Sequence, residues 1–191
     1  MEADWAAEIG PRLHHIDASW AGFIDLRNRP DALSAIPETA AAPALREALT
    51  RLNEPHSPVF TCKCDFWPLD TDELDPWEYD YPPSEQRIGV ASYIDLVARD
   101  RAVFASFDRH ESWVRASALR LRDLPAAGGR ADLVIRAALD GDRAGFGVTL
   151  YAAGCGPDAP AAHTAWEAIL RAAVTATMNE AAAPGASSSV G

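Results

Sequence analysis

Residues 60–67, Phe-Thr-Cys-Lys-Cys-Asp-Phe-Trp, alternate apolar and polar side chains without interruption. Extended backbone sends successive side chains to opposite sides, so this pattern predicts a strand over about 58–67. Phe60, Cys62, Cys64 and Phe66 are expected on the core side, with Thr61, Lys63, Asp65 and Trp67 together on the other. Pro68, which has no amide proton for a ladder, is expected to end it. The same period recurs three times. Over about 87–98, Ile88, Val90, Ser92, Ile94 and Leu96 oppose Tyr93 and Asp95. Leu133 and Ile135 oppose Asp132 and Arg136, and Phe146, Val148 and Leu150 oppose Gly147, Thr149 and Tyr151. Asp140-Gly141-Asp142 between the last two reads as a hairpin turn.

Helical spacing appears between these strands. Leu45, Ala48, Leu49 and Leu52 predict a helix from about Ala42 to Leu52, with Pro43 near its start. Val114, Ala118 and Leu121 mark a second, predicted to start at Asp108 with Glu111 completing a capping box. Trp166, Ile169, Leu170, Ala173, Val174 and Met178 mark a third, opening near Asp158 and Pro160. Trp5, Ile9, Leu13, Trp20, Phe23 and Ile24 read as a broken N-terminal helical segment. The expected organisation is residues 1–57 as that segment, 58–180 as an α+β sheet domain and 181–191 as a disordered tail. The expected fold is a four-stranded, mainly antiparallel sheet in which a strand-strand-helix unit is used twice, with two helices on its apolar face.

Charge narrows the function classes. Seventeen basic against 28 acidic residues give a net charge of -11, which repels nucleic-acid phosphates and anionic membranes and attracts basic proteins. No apolar run approaches a membrane span, and the acidic start lacks the pattern of a secretory signal, so the expected address is cytoplasmic. The odd cysteine count agrees with reduced thiols.

The polar sheet face, Lys63, Asp65, Trp67, Tyr93, Asp95, Arg136 and Tyr151, is the first candidate site, because aromatic rings beside charges are typical of contact surfaces. On a merely solvated face the same charges would pair across strands, Lys63 with Asp95 or Arg136 with Asp65. The segment from Asp70 to Tyr81 is the second. Its Asp70, Asp72, Glu73, Asp75, Glu78 and Asp80 would steer a basic partner that Trp77, Tyr79 and Tyr81 anchor. Together they predict a non-enzymatic, acidic protein-binding module. An immunity protein that neutralises a basic toxin, or a chaperone for a secreted effector, suits this charge and size; the order of elements resembles that of type III secretion chaperones, without a shared motif. A homodimer is compatible with the same features. The competing class is a small enzyme or small-molecule binder built on Asp65 and Asp95 as a carboxylate pair in a sheet-face pocket.

Other chemistries are weaker. Cys62, Cys64 and Cys155 with His14, His15, His56, His110 and His163 lack the spacing of a structural zinc site, so no metal is expected. Gly154-Cys155-Gly156-Pro157-Asp158-Ala159 matches a dinucleotide fingerprint in letters only, because a strand-helix-strand unit is absent around it, and no cofactor is expected. There is no nucleophile elbow, and His110 and Ser112 do not face each other on one helix.

Overall fold

The computed structural model describes residues 1–79, 81–82, 85, 87–125 and 128–182. The tail assigned to 181–191 falls almost wholly outside these residues, as does Asp80. Two antiparallel pairs make up most of one sheet: β3 (Val59–Leu69) with β4 (Ile88–Ala98), and β5 (Gly129–Asp140) with β6 (Arg143–Gly156). β4 also pairs antiparallel with β6, which joins them. Gly141 makes the β5–β6 turn at φ 62°, a left-handed conformation that glycine adopts without a Cβ penalty.

The expectation of a four-stranded, mainly antiparallel sheet with an N-terminal helical segment is corrected. The sheet has six strands and is mixed, in the order β1 (Glu2–Glu8)-β5-β6-β4-β3 with β2 (Ile16–Asp17) also on β5. Residues read as helix form β1 (Glu2–Glu8), which runs parallel to β5 with Glu2 opposite Arg130 and Glu8 opposite Arg136. β2 (Ile16–Asp17) resumes the same edge opposite Ala138 and Leu139. Between Glu8 and Ile16 the chain advances only from Arg136 to Ala138 along β5, so residues 9–15 must loop away from it. The physical reason for the misreading is that Ala3 and Trp5 are buried or half-buried against the helices by a strand 128 positions away, while Ile9 and Leu13 are exposed.

The main core lies between the sheet and three helices: α2 (Pro43–Asn53), α4 (Phe107–Arg122) and α5 (Ala159–Ala182). Short α1 (Glu38–Ala41) and α3 (Arg101–Phe104) link the larger elements. Leu45, Leu49, Val114, Leu121, Trp166 and Leu170 pack on Ile94, Leu96, Leu133, Ile135, Val148 and Leu150. α4 starts two residues before the capping box predicted for it: Ser106 is its cap, its hydroxyl accepting from the Arg109 amide at 3.3 Å. A Cβ on Gly154 would sit 2.2 Å from the Trp166 backbone nitrogen, and one on Gly156 2.7 Å from Ala161 and Ala162, so both let α5 lie directly on β6.

β3 departs from its simple alternation. Thr61 pairs with Leu96 but Cys64 with Ile94, leaving Cys62 and Lys63 both opposite Asp95, a β-bulge. Parity therefore flips inside the strand. Phe60 and Cys62 belong to a second cluster on the face away from the main helices, with Ile16, Val97, Phe104 and Ala138, whereas Cys64 and Phe66 pack into the main core. Thr61 turns to the helix side, its hydroxyl accepting from Asn53 Nδ2 at 2.8 Å. The predicted grouping of four residues per face is thus corrected at its first half. Pro68 does not end the strand either; it pairs opposite Val90 on an edge, where its missing donor costs no ladder bond.

Candidate functional site

The site grows out of the sheet face that the three large helices leave open. β3, β4, β6 and β5 align Asp65 opposite Tyr93, Tyr93 opposite Tyr151, and Tyr151 opposite Asp132. Two tyrosines thus stand between two carboxylates in one row crossing four strands, about 14 Å from end to end at the usual strand spacing. Trp67 joins it diagonally, 6.1 Å from the Tyr93 ring, and the two tyrosine rings lie 6.0 Å apart. All three rings are partly exposed, and Asp65 is exposed. Burial and the nearby charges of Asp95 and Asp65 raise the Tyr93 pKa, so its phenol stays protonated at neutral pH.

The next row is buried and closed by hydrogen bonds. Asp95 is 1% exposed; Thr149, opposite it, donates to Asp95 Oδ1 at 2.6 Å. Arg136 Nε donates to the Thr149 hydroxyl at 3.0 Å, Nη1 to Glu8 at 2.7 Å and Nη2 to the Tyr151 hydroxyl at 3.2 Å. The 9–15 loop brings His14 Nε2 within 3.4 Å of Asp95 Oδ2. Burial raises the Asp95 pKa; the Thr149 hydrogen bond and the charges of His14 and Arg136 oppose the shift without cancelling it. A cleft of about 500 Å³ opens beside Asp95, with Arg12, His15, Trp20, Cys62 and Lys63 around it. Cys62 and Cys64 are poor nucleophiles here. Burial pushes both thiols up, Cys64 to about 12.

The ion pairs expected across the face do not form as predicted. Arg136 pairs with Glu8 rather than Asp65, and Asp95 meets His14 rather than Lys63. Asp65 and Asp95 stand in successive register rows, one exposed and one buried.

The acidic segment folds back as the upper wall of the face. Leu74, Tyr79 and Cys155 make a small cluster, joined by Leu69 and Tyr81. Glu78 pairs with Arg130 at 2.7 Å, and Arg130 with Asp132 at 2.6 Å. Asp72 lies exposed in a short 3-10 turn, where Glu73 accepts from the Asp70 amide at 2.7 Å. Asp75 accepts from the Trp77 amide at 2.9 Å. Of the aromatic anchors predicted there, Trp77 is 85% exposed, whereas Tyr79 is only 6% exposed.

No protein-family model, curated protein or solved structure matches this chain. The open face is therefore read from its own geometry. Sequence reasoning reached Asp65, Trp67, Tyr93, Asp95, Arg136 and Tyr151, and set Asp132 on the same face without counting it in the site; it missed Glu8, His14 and Trp20. The alternation Ala3, Trp5, Ala7 against Glu2, Asp4, Glu8 was the signal that would have found Glu8. Nothing local marks His14, because a loop carries it there. Among the described residues no three histidine, cysteine or acidic side chains converge to hold a metal, and no helix is long and apolar enough to cross a membrane.

Proposed function

We propose that the open sheet face recognises an extended basic segment of a protein partner, in a non-enzymatic module of the immunity-protein or effector-chaperone kind. The row Asp65–Tyr93–Tyr151–Asp132 supports this reading above all else. Guanidinium and ammonium groups favour aromatic faces next to carboxylates. Alternate side chains of an extended segment recur about every 6.6 Å, close to the 6.0 Å ring spacing. The loop walls at His14 and Tyr79 limit the segment's course, and the net charge of -11 steers a basic partner in.

The test is a titration of the full chain with a peptide library in which arginine or lysine alternates with neutral residues, against neutral and acidic controls. Basic peptides are expected to bind, more weakly as salt rises, with Tyr93→Ala and Asp65→Asn each lowering affinity about tenfold. Equal binding of neutral peptides, or full affinity in both variants, overturns the reading. A second reading, a small-molecule binder using the Asp95 cleft, is favoured by the buried carboxylate beside an open volume. It expects ligand-induced NMR shifts at His14 and Trp20 rather than at Tyr93 and Tyr151.

A further inference from the structure

We infer that a separate cleft, at the β5–β6 turn end of the sheet, binds a phosphate-bearing small molecule. The cleft holds about 690 Å³, within the range of small-molecule sites, and is lined by Arg27, Arg99, Arg101 and Arg143 with Asp140. Four of the chain's 17 basic residues thus converge in a protein of net charge -11. Such a convergence of like charges is unfavourable unless anions offset it; Asp140 is the carboxylate in the lining itself, and Asp25 pairs with Arg27.

Two of the four are held in place. Arg27 is gripped by Asp25, with Nε and Nη2 donating at 2.7 and 2.9 Å, and its guanidinium lies 3.8 Å over the Phe60 ring. Arg99 donates from Nε to the Val59 carbonyl and from Nη2 to the carbonyls of Asn53 and Glu54. Neither residue spends its Nη1 in these bonds. Arg101 and Arg143 are exposed and have no ion-pair partner among the described residues. Fixed and free forks around one cavity suit the tetrahedral oxygens of phosphate, which arginine binds bidentately. Burial first, and then the charge of Arg27, lower the Arg99 pKa, while Asp25 opposes the shift. Phe60 and Phe104 give the cleft an apolar lining for the organic part. A long polyanion would meet the repulsion of the whole chain, whereas a small ligand feels the local field within about 8–10 Å.

The experiment is isothermal titration of the full chain, in chloride buffer, with inorganic pyrophosphate and with ADP. Binding with Kd below about 1 mM is expected for at least one, weakened about tenfold or more in the double variant Arg101→Gln, Arg143→Gln. Both positions are exposed, and circular dichroism checks that the variant folds. Tyr93→Ala is expected to leave this binding unchanged, which separates failure here from failure of the peptide-binding face. The inference is overturned if neither probe binds, if the double variant binds both as tightly as the parent, or if an oligoglutamate peptide or a short RNA binds this cleft more tightly than ADP.

Discussion

Asp95 is the residue whose surroundings are most at odds with its charge. It is buried, accepts from Thr149, and has its pKa raised by desolvation. For a carboxyl raised in the folded state, the stability contributed by its neutral form is complete below the unfolded value near 3.8 and is lost as pH rises through the folded value. Asp95→Asn keeps an acceptor for Thr149 and removes the ionisation cost. The variant is therefore expected to melt above the parent at pH 7, with the difference shrinking toward pH 4; a Tm gain that is independent of pH would refute this account. Asp95 and Tyr93 were legible from period-two spacing alone. Their partners were not, since Glu8 and His14 reach the face from an edge strand and a loop whose positions depend on β5.

At the scale of elements, β3 shows why an alternating sequence is only half a prediction. The letters 60–67 keep a perfect period, yet the bulge at Cys62 and Lys63 inverts which face each half serves. No composition signal marks that inserted residue. The bulge, the exposed Lys63 and Pro68 all lie on an edge strand, and each discourages pairing with another chain. The helical periods at Leu45–Leu52 and Trp166–Val174 were legible because their stripes face the sheet continuously. Gly154 and Gly156 of β6, which match a nucleotide fingerprint in letters only, leave the room in which α5 packs. Gly154→Ala is expected to destabilise the chain by about 1–3 kcal/mol, because the added methyl meets α5 backbone rather than a movable side chain. Thermal denaturation measures it, and at about 2–4 °C per kcal/mol the fall in Tm is readily seen.

Over the whole molecule, charge and stability are distributed unevenly. The acidic surplus coexists with one arginine-rich cleft at the far end of the sheet from the acidic loop's Leu74–Tyr79–Cys155 cluster. His110, fully buried where α4 meets Phe146, donates from Nδ1 to the Ser106 carbonyl at 2.9 Å and lies 5.5 Å from the Trp113 ring. Burial lowers its pKa below 6.5. The folded state then resists a proton that the unfolded chain accepts, so this stability is present above about pH 6.5 and is lost as pH falls from there toward the folded value. Against the opposite slope from Asp95, the test is the difference: the melting temperature of His110→Phe relative to the parent is expected to rise between pH 7 and pH 5, and a difference that does not change with pH would refute this account. The parallel pairing of β1 with β5 carries a further consequence for biosynthesis. Glu2 finds Arg130 only after the 128 positions between them have been synthesised, roughly ten seconds later at ordinary translation rates. Throughout that interval β1 is a strand without a mate, and whatever shields it then decides how much of the product folds.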